Sequence, residues 1–224
     1  MSNFDVIEGD SITSVVFSQP YLTLDDLTEI TSLIKSRPTE SGPLILRSAG
    51  SDFCTGLRRA PADGPQTPDQ IRENVIWPIL NAYGAMRSAP FPVIGAVRGR
   101  AEGLGFAIAA SCDLIIAAED AEFAVPELGS GVPPLLALSV LADILPRQVA
   151  AQAVSTGAVL TAKRMWDIGA VAELAPDADL ERAVDAIGAT LAGKPAYHFV
   201  KEYIEAGTTP ERAAQTLGDF LGSR

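Results

Sequence analysis

Apolar residues along the chain follow two rhythms, and the change from one to the other marks where strands give way to helices. Phe4 to Glu8 and Ile12 to Phe17 alternate or are β-branched around Gly9-Asp10-Ser11, a turn composition, and so predict an opening β-hairpin. From Thr23 the period lengthens. Leu24, Leu27, Ile30, Leu33 and Ile34 share one helical face, and Thr23 with Asp26 three residues on has the spacing of a capping pair. Leu44 to Leu46 and Pro92 to Val97 are short apolar runs that predict buried strands, separated by a helix over Ile71 to Met86. A glycine-rich turn follows the second run, then a helix over Gly103 to Ser111 and strands over Leu114 to Ala117 and Glu122 to Ala124. The remaining signals are helical: Leu135 to Leu145, Gln148 to Ser155, Ala162 to Ile168, Asp179 to Leu191, and two helices from Ala196 on. Strands alternating with helices predict an α/β fold with a helical end region.

Composition narrows the function classes. With 224 residues the chain reads as one domain, a core over 1–190 and a short helical region over 191–224, and a chain of this size buries roughly 70% of its unfolded surface. The stretch Ala60 to Thr67 (APADGPQT) reads as a surface loop that divides no domains. Seventeen Lys and Arg against 28 Asp and Glu give a net charge of −11, which argues against nucleic acid as a partner, since phosphate recognition needs clustered cations. Two cysteines, Cys54 and Cys112, and the single His198 exclude a disulfide framework and the usual four-ligand zinc site, so no metal is expected. Apolar stretches stop short of a membrane span, and the N-terminus lacks the pattern of a secretory signal, so a cytoplasmic setting without membrane contact is expected.

Two segments place glycine just after a strand, where backbone N–H groups can face a cleft. They are Ser51-Asp52-Phe53-Cys54-Thr55-Gly56-Leu57-Arg58 and Gly99-Arg100-Ala101-Glu102-Gly103-Leu104-Gly105-Phe106-Ala107. Two such amides facing one oxygen would form an oxyanion hole; the other reading is a pair of turns in which glycine serves tight packing. A dinucleotide fold fits poorly, because Ile108 stands where the third fingerprint glycine belongs.

The chain resembles the crotonase superfamily, the enoyl-CoA hydratases and isomerases. The resemblance rests on LILRSAGSDFCTGL and on Gly99, Ala101, Gly103, Gly105, Cys112-Asp113, the LIIA strand, Ala121, Phe123, Pro126-Glu127, Gly131 and Pro133 in the longer signature. It implies a spiral of ββα units followed by helices, an acyl-CoA thioester as substrate with coenzyme A entering only as part of it, no separate cofactor, and a homotrimer or hexamer. By the same resemblance the oxyanion amides fall on Leu57 and Leu104, with Cys54, Thr55, Gly56, Arg58 and Gly103 at the substrate. Leu104 stands where the family usually has glycine.

Hydratases of the family carry two glutamates, and their positions map onto Ala107 and Glu127. Water addition is easiest with two carboxylates, whereas one carboxylate can carry a proton between carbons, so Glu127 as single acid/base suits an isomerase. Two rivals stay open: a homologue that binds acyl-CoA or a partner without turnover, and a thioester decarboxylase or hydrolase. Arg58 and Arg59 read equally as contacts for coenzyme A phosphates or a substrate carboxylate, or as a solvated loop face, and Arg98 and Arg100 are similarly ambiguous. Cys54 and Cys112 read as packing residues, and His198 as structural.

Overall fold

The structure, a computed structural model, describes residues 2–59, 64–194, 196–207 and 209–222. Strands β1 (Phe4–Glu8) and β2 (Thr13–Phe17) form the expected antiparallel hairpin, with Phe4 opposite Phe17 and Glu8 opposite Thr13. Helix α1 (Leu24–Ser36) follows, and its capping box is complete: the Asp26 N–H donates to the Thr23 hydroxyl at 3.2 Å while the Thr23 N–H donates to the Asp26 carboxylate at 2.7 Å. Strand β3 (Leu44–Ser48) lies parallel to β2.

The helix expected over Ile71 to Met86 is divided. A short α2 (Pro68–Ile71) runs into a π-helical turn (Arg72–Ile76), and α3 (Trp77–Ser88) continues from there. Pro78 accounts for the break. It has no N–H to donate, its ring crowds the carbonyl four residues back, and the Trp77 N–H accordingly reaches five residues back to Arg72 O. Of the expected loop, residues 60–63 lie outside the described residues.

From here the chain alternates between two sheets. Strand β4 (Val93–Val97) joins the larger sheet and β5 (Arg100–Glu102) starts the smaller one. After helix α4 (Leu104–Ala110), β6 (Leu114–Ala118) returns to the larger sheet and β7 (Glu122–Ala124) to the smaller. Helices α5 (Leu135–Ile144) and α6 (Arg147–Thr156) precede β8 (Leu160–Thr161), α7 (Ala162–Asp167) and β9 (Glu173–Ala175). The larger sheet has the order β1-β2-β3-β4-β6-β9 and the smaller β5-β7-β8. This winding between two sheets is the spiral of ββα units expected from the sequence. Strands β5, β8 and β9 were not among the expected strands, whereas the equally short β7 was.

Helices α8 (Leu180–Leu191), α9 (Tyr197–Glu205) and α10 (Pro210–Gly222) close the chain. Among the described residues no helix is long and apolar enough to cross a membrane. The core between sheets and helices is built on aromatic pairs, Phe17 with Phe53 at 5.3 Å and Phe106 with Phe123 at 5.1 Å between ring centroids. Each pair ties a site-bearing segment, the loop after β3 or helix α4, to a strand.

One buried ion pair fastens α9 to this frame. The Lys201 ammonium, 5% exposed, donates to Asp113 Oδ2 at 2.9 Å and to Met86 O at 2.7 Å. Asp113 Oδ2 also accepts from the Val93 N–H at 2.7 Å, so the end of α3, the start of β4 and the turn after α4 meet at this one ion pair. Removing one partner of such a pair leaves a charge stranded in the interior. Asp113→Ala is therefore expected to cost about 3–5 kcal/mol, and Asp113→Ala with Lys201→Met should recover most of that loss. Urea denaturation of both variants checks this; equal stability of the two would show that the ammonium finds water.

Candidate active site

The site begins where two backbone segments run against each other. Phe53 and Cys54 donate to the carbonyls of Arg98 and Arg100 at 2.9 and 3.2 Å, and the Glu102 N–H returns a bond to Cys54 O at 2.9 Å. The loop after β3 thereby extends the smaller sheet, with Cys54 bridged to Ala101. Contact this close requires glycine. A Cβ at Gly105 would overlap the Cys54 carbonyl, and one at Gly103, whose φ is +53°, would overlap the carboxylate of Glu127.

This crossing aims the two amides singled out by sequence. Leu57 is bridged to Leu22, using the Leu22 N–H to Gly56 O at 3.2 Å and the Arg58 N–H to Leu22 O at 2.8 Å. Leu57's own N–H lies on the opposite side of the strand. Leu104 is the first residue of α4, preceding the first helical bond, Ala107 N–H to Gly103 O at 3.0 Å. Among the described residues no backbone carbonyl takes the N–H of either leucine. Leucine at 104 is unstrained, because Gly103 supplies the positive φ.

Both leucines line a cleft of about 430 Å³ together with Thr55, Gly56, Gly103 and Glu127. Val75, Ile79 and Tyr83 form one wall, and Val132, Pro133, Leu136 and Ala137 another. The cleft is thus apolar with a few converging polar groups, the usual character of a small-molecule site.

Glu127 opens the one-turn 3₁₀ helix Glu127–Ser130, reached through Pro126. Its Oε2 is buried without a hydrogen-bond partner among the described residues. Burial raises the carboxyl above its ordinary value, with a further rise from the charge of Glu102, partly offset by Glu127's own backbone N–H. An acid so placed holds its proton more readily than a solvated one, which suits a group that both takes and returns a proton.

The other expected site residues fall in different places. Arg59 lines the cleft, whereas Arg58 is exposed and stacked over Tyr21, 4.7 Å from the ring centroid, donating to its hydroxyl at 2.6 Å. Cys54 lies beneath the cleft, not on it. It is fully buried, its thiol donates to Gly56 O at 3.6 Å, and burial pushes that thiol up to about 11. Its side chain packs, as the sequence reading of a buried packing residue has it, and its carbonyl fixes the crossing. Burial likewise raises Cys112. Arg98 pairs with Asp177 and Glu181, and Arg100 with Asp52 and Glu102, which commits both to the surface.

Residues 10–219 match the enoyl-CoA hydratase/isomerase family. The chain belongs to this family. A Rhodobacter capsulatus protein named "Probable enoyl-CoA hydratase" is 32% identical over 196 residues, 84% of this chain and 73% of that one. Enoyl-CoA hydratase domain-containing protein 3 of Rattus norvegicus, a mitochondrial protein, is 26% identical over 191 residues, 83% of this chain. The match covers 63% of that relative's length. In fold, an enoyl-CoA hydratase of Mycobacterium smegmatis superposes with a TM-score of 0.90 at 20% identity, covering all of this chain and 91% of that one.

Ala107, onto which the resemblance maps one of the two hydratase glutamates, is a fully buried methyl on α4. Two residues near Glu127 escaped the sequence reading. Glu102 was passed over inside a motif read for its glycines, and Tyr83 lay in a helix whose inward face no residue identity marked.

The raised carboxyl of Glu127 links the site to stability. A folded value above the unfolded one means that the stabilising contribution is full below the unfolded carboxyl range and is lost as pH rises through the folded value. Glu127→Gln removes this loss. The variant should melt higher than wild type near pH 7, with the gap closing as pH falls toward about 4. Melting curves across that range check it; a gap independent of pH would deny that the carboxylate is strained by burial.

Proposed function

We propose that the chain acts on an acyl-CoA thioester by forming an enolate, with Glu127 as the single acid/base. The N–H groups of Leu57 and Leu104 receive the thioester oxygen. The observation that carries this reading is the Glu127 oxygen buried beside Gly103 without a hydrogen-bond partner among the described residues, in the same cleft as both amides. The family and the names of its members support a CoA thioester as ligand.

In the proposed reaction a 3-enoyl thioester loses a proton from carbon 2 to the Glu127 carboxylate. The released electron pair delocalises toward the thioester oxygen, where the two amides stabilise the negative charge. Glu127, now a carboxylic acid, returns the proton to carbon 4, leaving the double bond between carbons 2 and 3. One carboxylate suffices for both transfers, and atoms and charge balance without a second reactant. Leu104, 7% exposed, contributes a side chain beside the thioester that narrows the cleft. Arg59 at the cleft and Arg58 on Tyr21 are placed to meet anionic parts of coenzyme A. No cofactor beyond the substrate's own coenzyme A enters this scheme. A cytoplasmic setting and a homotrimer or hexamer belong to the same proposal, the assembly supported by apolar side chains such as Val200, Ile204, Leu217 and Leu221 that α9 and α10 leave exposed.

A binding-only role is the second reading, favoured by the buried methyl of Ala107 where hydratases carry a glutamate. Turnover separates the two. The protein should convert 3-enoyl to 2-enoyl thioesters faster than it hydrates the 2-enoyl compounds, and Glu127→Ala should slow isomerisation by about 10²–10⁴ with binding retained. Mass spectrometry of products with calorimetry of binding makes the comparison. Wild-type binding without product selects the second reading, and undiminished turnover in Glu127→Ala assigns the proton transfer elsewhere.

A further inference from the structure

A second carboxylate stands close behind Glu127. Strand β5 ends at Glu102, which the pairing of β5 with β7 sets opposite Ala124, three residues before Glu127. The next residue, Gly103, donates its N–H to Ala124 O at 2.9 Å, and a Cβ built on it would lie 2.2 Å from Glu127 Oε1. Glu102 is thus joined by one peptide bond to the residue on which the Glu127 carboxylate rests, and Gly103 has no side chain to part the two. The Glu102 side chain, 26% exposed, is not among those that line the cleft.

Among the described residues no cation hydrogen-bonds to Glu102. The Arg100 guanidinium approaches it only to 3.7 Å, because it is committed to Asp52, with Nε to Oδ1 at 3.2 Å and Nη2 to Oδ2 at 3.0 Å. Glu102 and Glu127 therefore repel, and this adds to burial in raising the Glu127 carboxyl. The other groups around Glu127 are Tyr83 on α3, which burial keeps neutral, and Arg59, which lines the cleft and donates to Gln66 Oε1 at 3.3 Å. Helix α6 packs against the turn of Glu127 and has one charged residue, Arg147, at its first position, while α5 meets the cleft with Leu136 and Ala137.

We propose that Glu102 is a positioning residue that acts through Glu127: from outside the cleft, its negative charge across Gly103 opposes a second negative charge at the acid/base. This rests on the reading of Glu127 as acid/base and adds a residue to it. In the proposed reaction Glu127 becomes neutral as it takes the proton from carbon 2, so the repulsion ends at that step and favours the uptake. Return of the proton to carbon 4 restores the starting charges. Glu102 itself touches no reacting atom in this scheme.

Carbon-13 NMR of the whole chain labelled at glutamate Cδ reads the Glu127 titration directly, its signal assigned by its absence in Glu127→Gln. Glu102→Gln, uncharged and close in shape, should move the Glu127 midpoint to lower pH. Glu102→Asp keeps the charge and should bring the midpoint back toward wild type, a rescue that a role in packing alone would not give. The backbone bond from the Glu102 N–H to Cys54 O at 2.9 Å needs no carboxylate, so both variants keep the crossing of the two segments. In isomerisation of a 3-enoyl thioester the acid limb of kcat/KM should shift downward in Glu102→Gln along with the NMR midpoint. A Glu127 midpoint unmoved in Glu102→Gln overturns this inference alone, and so does a midpoint as low in Glu102→Asp as in Glu102→Gln. Isomerisation whose acid limb stays in place while the NMR midpoint moves, or no isomerisation by wild type, overturns the acid/base reading of Glu127, and this inference with it.

Discussion

The site depends on one close approach of backbone to backbone. The Cys54 carbonyl lies where a side chain at Gly105 would be, and the same few residues exchange three hydrogen bonds between the loop after β3 and the segment around β5. Because those bonds fix both segments at once, the amides of Leu57 and Leu104 inherit their directions from the smaller sheet and not from their own side chains. This explains why leucine is tolerated at 104. What the position supplies is an N–H at a helix start, while the unusual dihedral belongs to Gly103. The proposed role of the amide is thereby separated from the identity of the residue that carries it.

Polar groups then occupy the space that this crossing leaves. Glu127 rests directly on the face of Gly103 that lacks a Cβ, which ties the acid to the same local constraint as the amides. Its Oε2, without a hydrogen-bond partner among the described residues, is unfavourable in the empty protein and useful when a ligand arrives, a common trade at functional sites. The surrounding wall of Val75, Ile79, Val132 and Leu136 gives the buried Glu127 oxygen an apolar setting, which strengthens any interaction it makes with a bound molecule.

Much of the fold was legible from pattern because its larger elements are long enough to show a period. The hairpin, the capped α1, the buried strands β4 and β6 and the terminal helices all follow from apolar spacing and turn chemistry. Strands β5, β8 and β9 escaped, since their existence depends on partners distant in sequence. The break in the helix before α3 was present in Pro78 but needed its hydrogen bonding to be read. For the site, the glycine segments and Pro126-Glu127 were visible as a motif. Cys54 shows the limit of that reading: motif spacing places a residue near a site without saying whether its side chain or its carbonyl matters. Tyr83 was invisible for the opposite reason, as an aromatic at helical spacing looks like any core residue until the helix is rotated against its neighbours.

The central claim is that the amides of Leu57 and Leu104 hold a thioester oxygen and draw charge onto it. Infrared difference spectra of butyryl-CoA labelled with carbon-13 at the thioester carbonyl test this on the unmodified protein. Two fixed donors should shift the bound carbonyl stretch to lower frequency than in water, since preorganised amides polarise the bond more than mobile solvent does. A bound thioester whose carbonyl absorbs at or above its frequency in water would contradict the account.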